Sequence, residues 1–168
     1  MPDSEANFPA ADFPSFLEQA ENEALRILCA ATGFMSGRSA FIGSSQPYYN
    51  AFAFGLRGTA PNETAMWSRF PMRVLPLNAK AVGTFANRAE MWRWCALILQ
   101  GLPIQRSDGN AILETFRVSS IADPYEQDIA FPGESQVRRV SILTINFQLV
   151  AITGGKDESQ TADVEAAF

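Results

Sequence analysis

Histidine is missing from the sequence altogether, and cysteine occurs only twice. Without histidine the chain lacks the most frequent general base, the most frequent zinc ligand and the usual partner of a serine or cysteine nucleophile. The glycines form neither a Walker A motif nor a dinucleotide-binding fingerprint. These absences predict a protein that is not an enzyme and that carries no catalytic residue, no cofactor and no bound metal.

Disulfides and membrane-spanning segments are also not expected. Cys29 and Cys95 both lie in apolar helical patterns, which predicts buried free thiols rather than the disulfide framework of a secreted protein. The first twelve residues have neither the basic nor the apolar region of a signal peptide. No apolar run is long enough to span a bilayer. We therefore expect synthesis in the cytoplasm and no membrane partner.

The residues that are present form an ordinary globular composition. The chain has 168 residues, of which 47% are hydrophobic, and its thirteen phenylalanines predict a core with much aromatic packing. Its formal net charge of −5 disfavours nonspecific binding to nucleic acid, which requires many lysines and arginines. Residues 13–154 are predicted to form one domain, between a flexible N-terminal arm (1–12) and a flexible acidic C-terminal tail (155–168).

Two helices are predicted from apolar residues at helical spacing. The first covers residues 15–32, and the second covers residues 88–100 with Asn87 as its N-cap. Trp92 and Leu99 are expected to widen the apolar face of the second helix, so that it packs broadly against a sheet.

Alternating side chains predict five strands. They cover residues 40–42, 52–56, 65–75, 112–118 and 137–153. Residues 76–85 have no clear assignment, and residues 123–136 are predicted to form a polar loop. The strands would pair antiparallel, with both helices on one face and a long C-terminal strand. The fold class predicted is therefore α+β with a mostly antiparallel sheet.

The order of these elements resembles a known family. The elements that carry the resemblance are the helix 15–32, the strand MWSRFPMRV (66–74), the helix 88–100, and the strands 114–118 and 140–150. In this order they resemble the phage tail terminator proteins, which are tail-completion proteins of the lambda U type. The resemblance covers about residues 15–153 and is one of topology and pattern.

The resemblance implies a structural virion protein. Members of this family form a ring, usually a hexamer, which caps the tail tube and joins it to the head connector. The implied partners are further copies of the chain, the tail-tube protein and the head-completion or connector protein, with DNA only as cargo passing through the lumen. The implied location is the tail or neck of the virion, after synthesis in the host cytoplasm. An acidic chain also suits a channel through which DNA slides.

Ring contacts are expected from charged and aromatic side chains on the strands and the polar loop. Trp67 alternates with the apolar face of its strand, which favours an interface position. The arginines could pair with acidic groups of a neighbour, although a single surface charge is worth little. The candidate residues are Trp67, Arg69, Arg73, Arg117, Asp123, Tyr125, Glu126, Asp128, Arg138 and Arg139.

Three alternatives stay open at the level of sequence. One is another head–tail connector or tail component. A second is a small-molecule-binding α+β module with a pocket lined by Phe52, Phe54, Trp67 and Phe70. The third is an enzyme that works without histidine and uses the carboxylates of residues 122–136.

Overall fold

The structure is a computed structural model that describes residues 13–43, 49–57, 74–105 and 112–152. Its elements in chain order are α1 (Phe13–Thr32), β1 (Ala40–Ile42), β2 (Ala51–Arg57), β3 (Val74–Phe85), α2 (Arg88–Gly101), β4 (Ile104–Gln105), β5 (Leu113–Ile121), β6 (Tyr125–Ile129) and β7 (Arg138–Ile152). Two helices and a mostly antiparallel seven-stranded sheet confirm the predicted α+β class. The predicted arm and tail, and residues 65–73 of a predicted strand, lie outside the described residues.

The long C-terminal strand β7 is the centre of the sheet. The strand order is β1-β2-β3-β7-β5-β4, and β6 also pairs with β7. Residues 141–152 of β7 pair with β3 on one side, while β5 and then β6 pair with its other side. Among the strands that the structure describes, β1 and β2 pair in parallel and the other strand pairs are antiparallel. The strand predicted at residues 137–153 is thus present and occupies a central position.

Strand β3 covers the segment that the sequence pattern left unassigned. Leu75, Leu77 and Ala79 are buried and alternate with exposed Pro76 and Asn78. Proline, asparagine, alanine and glycine have low strand propensity, so the alternation is weak as a local signal. The segment forms a strand because its backbone pairs with β2 on one side and β7 on the other.

Local hydrogen bonds close the end of α1 and cap the start of α2. Gly33 follows α1 with a φ of +79°, and its N–H donates to the Cys29 carbonyl over 2.8 Å, which closes the last turn. At the start of α2, Asn87 Oδ1 accepts the Glu90 backbone N–H at 2.9 Å, as the predicted cap requires. Neither described helix combines the length and apolarity that a bilayer crossing requires.

The apolar face of α2 is narrower than the sequence suggested. Its buried stripe consists of Met91, Trp94, Cys95 and Ile98. Trp92 and Leu99 are 43% and 47% exposed, so the expectation that they widen the packed face is wrong. Their position about the helix axis turns them towards solvent, where the Arg88 guanidinium lies 5.9 Å from the Trp92 ring centroid.

Aromatic rings fill the space between the helices and the sheet. Phe52 and Phe85 pack on Trp94 with ring-centroid distances of 5.4 and 5.2 Å. Phe116 lies 5.2 Å from Phe147 on the adjacent strand. Small residues of β3 lie beneath these rings, and a Cβ placed on Gly83 would lie 2.8 Å from Trp94 Cζ3 and would also overlap the Phe85 ring. Gly83 is therefore required by packing.

Gly83→Ala is expected to destabilise the protein by about 1–3 kcal/mol, the usual cost of overpacking a filled core. Gly55→Ala is the matched control, because it also replaces a strand glycine but brings its Cβ no closer than 3.7 Å to a neighbour. Urea denaturation of both variants measures the difference in the free energy of unfolding. Equal losses for the two variants would contradict the packing at Gly83.

The two thiols are free and shielded to different degrees. Cys95 is buried and Cys29 is half-buried. Burial raises the pKa of both thiols, since a thiolate would lose its hydration.

At mildly alkaline pH, both native thiols should react with Ellman's reagent more slowly than in urea, and Cys95 should be the slower one. A raised pKa leaves less thiolate at a given pH, and burial limits access of the reagent. The single variants Cys29→Ala and Cys95→Ala assign the two rates. Fewer than two reactive thiols in urea would instead indicate oxidation.

Candidate interaction surface

Strands β6 and β7 form a hairpin where the sequence predicted a loop. Residues 125–129 pair with residues 138–142, so the loop prediction is wrong for this segment. Four of the five β6 residues are exposed, and a strand without a buried face shows no apolar alternation in the sequence. Beyond the end of β5, the Ala122 N–H still donates to the Thr144 carbonyl over 3.0 Å. This bond keeps the chain aligned along β7 up to the Asp123–Pro124 interruption.

One face of the hairpin carries a cluster of three predicted interface residues. Asp128 lies directly opposite Arg139, and their side chains approach to 3.4 Å between Oδ1 and Nη1. Glu126 is two residues away on the same face, with Oε2 3.7 Å from Arg139 Nη2. All three side chains are largely exposed, so each pair contributes little to stability.

Arg138 has closer partners than Arg139. Its Nε donates to Glu134 Oε2 at 2.7 Å, and its guanidinium carbon lies 4.4 Å from the Tyr49 ring centroid. The hydrogen bond to Glu134 is the main cause that raises the pKa of Arg138. Tyr49 in turn packs edge-on against Phe131, with 5.7 Å between the ring centroids. These contacts join the hairpin turn to the segment that precedes β2.

A small apolar cluster holds the base of the hairpin against the outer face of the sheet, which is the face opposite the helices. Phe131, Val140 and Ile142 are buried there, with Tyr49, Val82 and Ile129 packed around them. Half-exposed Tyr125 borders a groove of about 470 Å³ beside this cluster, together with Thr84 and Ile142.

The remaining predicted interface residues lie apart from the charged cluster of Glu126, Asp128 and Arg139. Arg117 is exposed on β5, and its Nη2 donates to Oε1 of Gln148, its cross-strand neighbour. Asp123 is exposed between β5 and β6. Trp67, Arg69 and Arg73 lie outside the described residues. Glu126, Asp128 and Arg139 are thus the members of the predicted set that the structure brings together.

The outer face also carries basic residues that the sequence analysis missed. Arg57 and Lys80 are exposed there, in strands whose apolar residues turn to the helices. Together with Arg117 they form a group that we call the cationic strip. The strip lies in two adjacent cross-strand rows. One row is Arg57, Asn78, Gln148 and Arg117, and the other is Gly55, Lys80, Asn146 and Ser120. Arg57 and Lys80 could have been predicted from their alternation with Phe54, Leu56, Ala79 and Ala81 in the sequence.

The sheet has one long free edge in the part of the chain that the structure describes. On the opposite side the outermost strand is β1, which pairs with β2 and is bridged at Ala40 to Ser36. On the other side β4 pairs only with residues 115–116 of β5, so residues 117–121 and β6 have no further strand beside them. Ile121 and Tyr125 are exposed apolar side chains of this free edge. Pro124, the bulges of β5 and the acidic residues of β6 limit uncontrolled pairing there.

Two of the four residues considered from the sequence for an aromatic pocket, Trp67 and Phe70, lie outside the described residues. Phe52 and Phe54 are fully buried in the core. A cleft of about 300 Å³ exists elsewhere, lined by aromatic and charged residues. The lining residues are Thr32, Gly33, Phe34, Asn50, Phe85, Glu90, Arg93, Trp94 and Leu97.

Within the described ranges, Trp94 Nε1 is a buried donor without a hydrogen-bond partner. Among the same residues, no three aspartates, glutamates or cysteines lie close enough together to hold a metal ion.

No protein-family model matches the sequence, and no curated protein matches it.

Arg138→Ala is expected to loosen the hairpin more than Arg139→Ala. The first change removes a 2.7 Å hydrogen bond and a ring contact, whereas the second removes only two longer, exposed ion pairs. Native-state hydrogen exchange at the amides of residues 125–142 measures the effect. Equal loss of protection in both variants would contradict the anchoring role of Arg138.

Proposed function

We propose that this chain is a structural virion protein, a phage tail terminator that forms a ring on the end of the tail tube and joins it to the head connector. The observation that carries the proposal is the free edge at β5 and β6, where residues 117–121 and 125–129 have no further strand beside them among the described residues. This edge would meet a different surface of a neighbouring copy, head to tail. Head-to-tail contacts between unlike surfaces generate rings when the rotation between copies closes.

The order of elements supports the same proposal. A helix, a group of strands, a second helix and two long paired strands follow one another as in the resemblance drawn from the sequence. We further propose a hexamer as the form of the ring. Its partners would be the tail-tube protein and a head-completion or connector protein, with DNA only as passing cargo and the virion tail or neck as its location.

The chemistry of the hairpin favours a contact surface over a catalytic site. Glu126 and Asp128 lie on an exposed strand beside Arg139, and the groove that Asp128 borders is open to solvent. General acid or base catalysis by a carboxylate is usually helped by burial that shifts its pKa towards neutrality. Exposed charges of both signs, in contrast, suit an interface that selects its partner by charge pattern.

The first experiment is negative-stain electron microscopy of the full chain, alone and mixed with a candidate tail-tube protein. We expect rings, or tubes that are capped and uniform in length. Because a terminator subunit can stay monomeric until it meets the tube, the mixture is the decisive sample. Absence of rings together with unchanged tube length would overturn the proposal.

Gln127→Lys is expected to weaken ring formation roughly tenfold or more, the equivalent of about 1.4 kcal/mol. Gln127 is exposed on β6, where an added lysine opposes strand pairing but leaves the core unchanged. Gln100→Lys makes the same change on an exposed position of α2 and serves as the control. Analytical ultracentrifugation with the tube protein present compares the two. Equal assembly by both variants would exclude this edge from the contact.

A small-molecule-binding module is the second candidate, and the cleft beside α2 favours it. Phe34, Phe85 and Trp94 supply aromatic surface, and Glu90 and Arg93 supply opposite charges at its exposed side. Indole is a suitable probe because it is flat, and its affinity can be measured by thermal shift. Stabilisation that Leu97→Ala reduces and Leu99→Ala leaves unchanged would support this function. No shift at millimolar indole would count against it.

A further inference from the structure

The cationic strip is unusual for an acidic protein. Arg57, Lys80 and Arg117 are all exposed, and the two cross-strand rows that contain them hold no carboxylate. Neighbouring strands lie about 4.8 Å apart, so Arg57 and Arg117, three strands from each other, are separated by about 14 Å at the backbone. The remaining side chains of the rows are amides and a hydroxyl, which donate and accept hydrogen bonds. Such a surface suits an extended acidic polypeptide.

The chain carries an acidic polypeptide within reach of the strip. Strand β7 crosses both rows and ends at Ile152, four residues beyond Gln148, or about 13 Å along the strand. Residues 153–168 follow, and they hold four carboxylates against one lysine. The carboxylates are Asp157, Glu158, Asp163 and Glu165. An extended segment of five residues spans up to about 17 Å, so Asp157 can return as far as Gln148.

We propose that the acidic segment 157–165 binds the cationic strip of its own chain. Exposed ion pairs are individually weak, but several act together here. The segment is also joined to β7 through four residues, 153–156, and so short a tether gives it a local concentration in the millimolar range. The bound segment covers the outer face of the sheet and competes with any other acidic partner for it.

Two other occupants fit the strip less well. Single-stranded nucleic acid binds through aromatic platforms as well as cations, and the two rows present no aromatic side chain. The acidic hairpin of a second copy offers fewer available carboxylates, because Glu126 and Asp128 lie beside Arg139, and Glu134 is paired with Arg138.

Carbodiimide cross-linking of the full chain tests the proposal, because the reagent joins a carboxylate to an amine only when the two are in contact. Lys80 and Lys156 are the two lysines of the sequence, so the products are few. Peptide mass spectrometry should find Lys80 joined to a carboxylate of residues 157–165. A mixture of ¹⁴N- and ¹⁵N-labelled protein should give products within one label, at a yield independent of protein concentration.

Charge variants separate binding at the strip from accidental contact. Arg57→Gln/Arg117→Gln should lower the yield at Lys80 severalfold. Arg88→Gln/Arg93→Gln removes the same charge from exposed positions of α2 and should leave the yield unchanged. Salt at about 1 M, where the screening length falls to about 3 Å, should also lower the cross-link yield at Lys80. Far-ultraviolet circular dichroism confirms that each variant is folded.

Three outcomes would overturn the proposal. The first is the absence of Lys80 products while Lys156 still reacts. The second is an equal yield in the two charge variants. The third is products only between labels, which would assign the strip to the segment of a neighbouring copy. The proposal does not depend on ring formation, since the cross-link is measured without the tail-tube protein.

Discussion

The pairing of β7 on both of its sides is the constraint on which the rest of the structure depends. Every N–H and C=O of a buried strand needs a partner, and β7 obtains its partners from β3 on one side and from β5 and β6 on the other. Its alternate residues Leu143, Ile145, Phe147, Leu149 and Ala151 are buried against the helices. The strand therefore fixes the register of its neighbours and the surface on which both helices pack.

The two faces of the sheet therefore differ: one is packed against the helices, and the other is exposed. The face beneath the helices is filled by aromatic rings, and glycine at position 83 leaves the space that Trp94 and Phe85 occupy. The outer face is polar at its centre, where the cationic strip lies, and apolar under the hairpin, where Phe131 and Tyr49 cover Val140 and Ile142. One face thus supplies most of the stability, and the other stays open for contacts.

The open surfaces consist of charges that are weak one at a time. Exposed ion pairs such as those of Arg139 contribute little within a monomer, because water and salt screen them. In a ring the same contact would be repeated at every subunit boundary, and a segment tethered next to its binding surface gains from its high local concentration. Weak surfaces of this kind bind effectively when symmetry repeats the contact or when a tether raises the local concentration. The proposed ring uses the first effect, and the proposed binding of segment 157–165 uses the second.

The sequence by itself determined the features that depend on neighbouring residues. The two helices, the Asn87 cap, the Gly33 end and the alternation of β7 are local patterns, and all were predictable because their causes lie within a few residues. Only the tertiary structure decided the rest. Strand β3 exists because β2 and β7 supply its hydrogen bonds, and β6 is a strand because β7 passes beside it. Register, likewise, places Arg57, Lys80 and Arg117 in adjacent rows, although 60 positions separate the first from the last in the sequence. Contacts over such separations depend on which strands pair, and that information is spread over the whole chain.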